Sequence, residues 1–258
     1  MHTISTLTNP RTPPRPTRSA TRLASIDVEW TKNYRIKNGN KPFCLSIVWL
    51  DIPRRGPVDL AGRPYDFTSL YVEHTEEIPD LVESAGIIIR SALDSADLVT
   101  GHQLCADLAV LDAHDAPQPV ADARTAWHDR HALPEDGTQV FDTRYDTGHI
   151  LTGTSRRLVD VCTELNLDVT QPELRSTSMT ALHRKWLDAG DTSARERISV
   201  LNLRHSLSTA YVAARACGLA TWDEPINVNR AIADGAASRW EWLTSPAFSS
   251  LLGAPRDS

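Results

Sequence analysis

The chain has 258 residues, 41% of them hydrophobic, enough apolar material to bury one large core with a small appendage. A formal net charge of −6 argues against a protein that coats nucleic acid with its whole surface. No run approaches the roughly 18 apolar residues of a membrane span and the start lacks the apolar block of a secretory signal, so a soluble, cytoplasmic protein with no membrane partner is expected. Cys44, Cys105, Cys162 and Cys217 lie far apart with no Cys-x-x-Cys pair. That spacing suggests neither a zinc site nor a redox motif, and reduced, mostly buried thiols are expected.

Residues 1–21 are rich in Thr, Pro and Arg, and no acid occurs before Asp27. Such a composition builds no core and reads as a disordered, basic, Pro-rich tail. Its Arg11, Arg15 and Arg18, with Arg22, are candidates to touch nucleic acid. An Arg-rich, acid-poor start also suits a transit peptide, against which the many prolines argue.

Leu23 to Trp30 reads as a strand. Side-chain alternation sends Ile26, Val28 and Trp30 one way and Asp27 and Glu29 the other, the two acids about 7 Å apart. Paired carboxylates at the end of an apolar strand are costly to desolvate unless a cation neutralises them, and a hard divalent ion such as Mg²⁺ or Mn²⁺ does so with oxygen ligands. A surface strand with two solvated acids is the alternative, and Asp-x-Glu alone is too common to decide. Directly after it come Lys32, Arg35, Lys37 and Lys41 with no intervening acid. They form either a solvated loop or a patch for phosphates.

Asn38-Gly39 favours a tight hairpin turn, and strands are expected at Phe43–Leu50 and Ser69–Glu73, with Pro53, Pro57 and Pro64 between them. From Ile78 the apolar residues Leu81, Val82, Ala85, Ile88, Ile89 and Leu93 recur at helical spacing. Asp97–Thr100 reads as a short buried strand ending at Gly101-His102, and a helix starts near Leu104. Residues 115–136 read as irregular or weakly helical. A strand at Gln139–Phe141, a helix carrying Leu158, Val161, Cys162 and Leu165, and a long helix from about Ala194 to Gly218 follow. The last 40 or so residues, with Trp222, Trp240 and Trp242, are expected to pack as a helical extension. This order suits an α/β fold, a mixed sheet with helices on its faces and the first strand central.

With these elements in place the chain resembles the DEDD superfamily of 3′→5′ exonucleases. Asp27-Val28-Glu29 matches the Asp-x-Glu of that family's first strand. Gly101-His102-Gln103-Leu104-Cys105-Ala106-Asp107 matches its Gly-His-Asn-x-x-Phe-Asp, with Gln for Asn and Ala for Phe. Asp142-Thr143 stands where an Asp-Thr pair is common, and Asp142 is expected to be structural, accepting from backbone donors at the strand end.

The resemblance implies a ribonuclease H-like fold with a mixed five-stranded sheet flanked by helices over residues 22–220, preceded by the tail (1–21) and followed by the extension (221–258). It implies hydrolysis of single-stranded DNA or RNA with two Mg²⁺ or Mn²⁺ ions held by Asp27, Glu29 and Asp107. The same resemblance makes His205 the general base and puts Lys32, Arg35, Lys37, Lys41 and His102 against the nucleic acid. Trp30 or Tyr34 is a candidate to stack on an unpaired base, although strand alternation favours Trp30 as core.

The last motif departs from the family, which places its fourth acid on the final helix as His-x-x-x-x-Asp or Tyr-x-x-x-Asp. In the first register His205 is kept and Ala210 replaces the acid. In the second Leu201 replaces the tyrosine and His205 itself replaces the acid. Val212, Ala213 and Ala214 continue the helix in the family's apolar style and favour the first. Glu196 lies on the opposite face of that helix, and Asp223, Glu224 and Asp234 lie beyond it as open substitutes. A degenerate relative that binds nucleic acid or a protein partner without cutting is the second reading.

Overall fold

A computed structural model describes residues 1–13, 15–32, 39–132, 138–236 and 239–253. Strands β1 (His2–Ser5), β2 (Ala20–Thr31), β3 (Lys41–Pro53) and β4 (Asp66–Tyr71) are followed by helix α1 (Ile78–Ser95) and strand β5 (Leu98–Gly101). Helices α2 (Leu104–Asp112) and α3 (Gln118–Asp129), strand β6 (Gln139–Asp142), helix α4 (Leu158–Glu164) and strand β7 (Leu167–Asp168) come next. Helices α5 (Met179–Ala189) and α6 (Thr192–Ala216), strand β8 (Ile226–Asn227), and helices α7 (Val228–Gly235) and α8 (Pro246–Ser249) complete the order.

Six strands form one mixed sheet in the order β1-β4-β3-β2-β5-β6. β2, β3 and β4 make an antiparallel meander, while β5 and β6 run parallel to β2. β2 is therefore central and bonded on both edges, as the sequence led us to expect. Alternation along the strands divides the core in two. Leu23, Val48, Leu50 and Phe67 face α4, α7 and much of α6. Ala24, Ile26, Val28, Ile47 and Trp49 face α1, α2 and α3.

Two local features set the positions that matter for the site. Where α6 crosses β3 the contact is made by small polar groups: Ser46 Oγ lies 2.6 Å from Ser206 Oγ and donates to the Asn202 carbonyl at 3.0 Å. Short side chains let the helix approach the strand, and their hydroxyls are satisfied within the contact. At the β5–α2 junction a Cβ on Gly101 would stand 2.9 Å from Leu104 Cβ and 3.1 Å from the Ile26 carbonyl oxygen. Glycine is thus required for α2 to start directly beside β2.

Three features depart from the expectations. Residues 1–21 do not form a tail as far as they are described: His2–Ser5 pairs antiparallel with β4, making the sheet six-stranded rather than five-stranded. Pairing with an open sheet edge supplies the backbone partners that local composition does not reveal. Residues 118–129, read as irregular or weakly helical, form a full helix starting at Gln118-Pro119. Helix α5 had no counterpart in the sequence reading. The residues after 220 join the same core, with Trp240 stacked on Phe67 at 5.5 Å and Phe248 fully buried. The Asn38 half of the expected Asn38-Gly39 turn lies outside the described residues. Among the described residues no helix is long and apolar enough to cross a membrane, and all four cysteines are free, with Cys44 and Cys162 buried.

Candidate metal centre

Asp27 and Glu29 project from the middle of β2 toward α6. Leu23 on the same parity of the strand packs with the α6 cluster, whereas Ile26 and Val28 pack on the other side. From α6, His205 Nδ1 stands 3.1 Å from Glu29 Oε1 and 3.6 Å from Asp27 Oδ2. One ligand atom from each of Asp27, Glu29 and His205 falls within 4.8 Å of the others. One turn earlier on α6, the buried Asn202 amide donates to Asp27 Oδ2 at 2.6 Å and to the Asp27 carbonyl at 3.2 Å. Asn202 Oδ1 in turn accepts from Cys44 Sγ at 3.4 Å. Asn202 holds Asp27 in place, and sequence reasoning missed it because a lone asparagine on a buried helix carries no spacing signal.

Asp107, in the first turns of α2, is buried and accepts from the Val28 backbone N–H. Its carboxyl is pushed well above the usual range, first by burial and then by the charges of Asp27, Glu29 and Asp142. Asp107 therefore sits beside the acidic strand, and not across the molecule from it. Its Oδ2 is inaccessible to solvent and meets no hydrogen-bond donor. Glu29 is also raised, by burial foremost and by Asp27, against the opposing hydrogen bond from His205. Asp27, Glu29 and His205 bring one ligand atom each within reach of a single cation, and Asp107, with its orphaned oxygen, lies beside them but outside that cluster.

His205 is raised as well, which for an imidazole favours the charged form. Burial alone would lower it, but hydrogen bonds and charge from Asp27 and Glu29 push it up to about 10. At neutral pH its imidazolium supplies one positive charge to the acidic cluster. Its Nε2 lies 3.0 Å from the Gln171 amide nitrogen, a neighbour that the sequence did not suggest. Gln171 is placed by the next residues of its loop: the fully buried Glu173 receives two 2.8 Å bonds from Arg204 and one of 3.0 Å from Trp242 Nε1.

Ala210 is fully buried in the apolar cluster between α6 and the sheet. His205, and not Ala210, thus occupies the place beside Asp27 and Glu29. Glu196 is committed elsewhere, accepting from the Trp242 N–H at 2.9 Å. Among the described residues, Asp223, Glu224 and Asp234 do not join the cluster.

His102 ends β5 next to the site. Its Nδ1 is 2.9 Å from Thr143 Oγ1, and burial lowers its pKa to about 4, so it presents a neutral ring. Asp142 is structural: it accepts from the N–H groups of Gln103 and Arg144 and from Trp127 Nε1 at 2.8–3.0 Å. Lys32 and Lys41 are exposed at the site end of β2 and β3, beside a cleft of about 330 Å³ shared with Thr180, His183 and Arg184 of α5. Arg35, Lys37 and Tyr34 lie outside the described residues. Trp30 is half-buried and packs at the edge of the core, as strand alternation suggested. No family model matches the chain, and no curated protein is similar to it.

Proposed function

We propose that this chain is a metal-dependent 3′→5′ exonuclease acting on single-stranded DNA or RNA, built on a ribonuclease H-like version of its mixed sheet. The observation that carries the reading is the meeting of Asp27, Glu29 and His205 within 4.8 Å, with the buried Asp107, one of whose oxygens has no donor, beside the same strand. Unpaired buried carboxylates cost several kcal/mol, roughly 1–3 kcal/mol or more each, and a fold tolerates them where a cation offsets the cost.

Asp27, Glu29 and Asp107 are the residues that would hold two Mg²⁺ or Mn²⁺ ions. Such ions, when bound, lower the pKa of water and stabilise charge on the attacking and leaving oxygens of an in-line displacement. Asn202 keeps Asp27 oriented toward the cluster. His205 provides the nitrogen where the family carries its fourth acid. Asp27 and Glu29 hold its ring protonated; with those carboxylates neutralised by a cation, the ring would release that proton to solvent and the neutral imidazole could then accept one. Lys32 and Lys41 meet the phosphates of the strand, adding affinity without sequence preference.

A specific observation also favours the non-cutting alternative: the His205 imidazolium satisfies Asp27 and Glu29 without any ion. Incubation of 5′-labelled single strands with Mg²⁺ or Mn²⁺ separates the two. Stepwise shortening by the wild type, abolished in Asp27→Ala and reduced about 10²-fold or more in His205→Ala, supports the exonuclease. Binding without shortening in either metal supports the alternative.

A further inference from the structure

Beyond the acids, the sheet end carries a fixed turn that neither metal nor hydrolysis requires. Parallel pairing places Ser25 opposite Thr100 and Gly101 opposite Asp142. Continuing both registers puts Asp27, His102 and Thr143 on one rung, with Thr143 two strands, or about 10 Å, from Asp27. Arg144 and Tyr145 follow at once.

This turn is rigid. Asp142 accepts from the Arg144 N–H at 3.0 Å, its carbonyl accepts from the Tyr145 N–H at 3.0 Å, and Arg144 Nη1 donates to the Arg156 carbonyl at 3.1 Å. Tyr145 is nevertheless half exposed, one of the few large apolar side chains so placed among the described residues. Its ring meets the edge of Trp127 at 6.0 Å. The Arg144 guanidinium lies 6.0 Å from the same ring and has no carboxylate partner among the described residues. A half-exposed aromatic face with a cation beside it that meets no carboxylate lacks a purpose in the core. It matches a nucleotide, which offers a flat base and an anionic phosphate in adjacent positions.

Resting on the nuclease reading above, we infer that Tyr145 and Arg144 form a nucleotide subsite at the site's β6 edge, Tyr145 stacking on a base of the bound strand and Arg144 taking its phosphate. Stacking tolerates any base, so the subsite confers preference for single strands and not for sequence.

The test measures anisotropy of 5′-fluorescein single strands, as DNA and as RNA, in EDTA so that ions are withheld. Each strand is made with normal or with abasic residues at its two 3′-terminal positions. Tyr145→Ala is expected to weaken binding of the base-bearing strand about five- to tenfold and to leave the abasic strand unchanged. Tyr145→Phe restores wild-type binding. Arg144→Gln weakens both strands alike and makes the log–log salt slope shallower by about 0.7. A Tyr145→Ala protein that binds the base-bearing strand as tightly as wild type overturns the subsite, and the nuclease reading stands if the strand is still shortened when metal is added. Base-dependent binding with no shortening in either metal keeps the subsite and overturns hydrolysis. Wild type that binds neither strand overturns both. A difference between the DNA and RNA series tells which sugar the subsite accepts.

Discussion

Asp107 is the residue at which stability and activity oppose each other. Its carboxyl is buried beside two others and one oxygen has no donor, so the folded protein without ions bears the cost of that charge. Asp107→Asn is expected to raise stability without metal by about 1–3 kcal/mol, or several degrees in Tm, and to eliminate strand shortening. Thermal melts in EDTA alongside the labelled-strand assay check both halves. His183 gives a pH-dependent counterpart away from the acids. It stacks on Phe43 at 3.9 Å, lies 2.9 Å from the Tyr71 hydroxyl, and burial lowers its pKa to about 4. Because the unfolded chain binds this proton near pH 6.5 and the folded one only near 4, stability falls as pH drops through that window, on the order of 2–3 kcal/mol for this group. Glu29 and Asp107, raised in the fold, act with the opposite sign. The difference in urea-unfolding free energy between wild type and His183→Gln, followed from pH 7 to 4, isolates the histidine and should shrink as pH falls.

At the scale of elements, helix α6 and the loop before α5 are fastened to each other by one buried ion pair. Arg204 and Glu173 are both fully buried, and Arg204 also donates to Asn229 Oδ1 at 2.7 Å. Glu173→Ala strands the guanidinium in the core, and a loss of about 3–5 kcal/mol is expected in denaturant unfolding. Replacing both partners by apolar residues of similar volume should recover most of it. The β5–α2 junction is equally exacting. Gly101→Val forces Leu104 and the Ile26 backbone apart, which moves Asp107 off β2, so activity should fall far more than the helix content seen by circular dichroism. These elements differ in how openly the sequence declares them. β2, β3, α1, α2 and α6 carry apolar runs or helical periodicity long enough to read directly. β1 is four residues whose strand state is imposed by the β4 edge and leaves no clear local pattern, whereas α5 does carry helical signals, with Met179, Leu182 and Trp186 on one face between the Ser178 and Gly190 caps.

For the whole molecule, the topology sets the start of α2, with Asp107, beside the strand that carries Asp27 and Glu29. Asp27, Glu29 and Asp107 were legible because their spacing from the strand ends and helix starts survives in the linear chain. Asn202 and Gln171 were not, because their partners are 175 and 34 residues away and only folding joins them. The same limit applied to His205: spacing along α6 does not reveal that its ring meets Asp27 and Glu29 while Ala210 is buried in the apolar cluster. A net charge of −6 disfavours nucleic acid over the surface as a whole. If Lys32, Lys41 and Arg144 make three phosphate contacts, the logarithm of the binding constant should fall with the logarithm of salt at a slope of about −2. The most direct test is calorimetric titration of the protein with Mn²⁺, in wild type and in Asp27→Asn and Asp107→Asn. Two ions per chain in the wild type, with at least one lost in each variant, is the predicted result. Undiminished binding in both variants, or no binding by the wild type at millimolar Mn²⁺, would contradict a metal centre built from these acids.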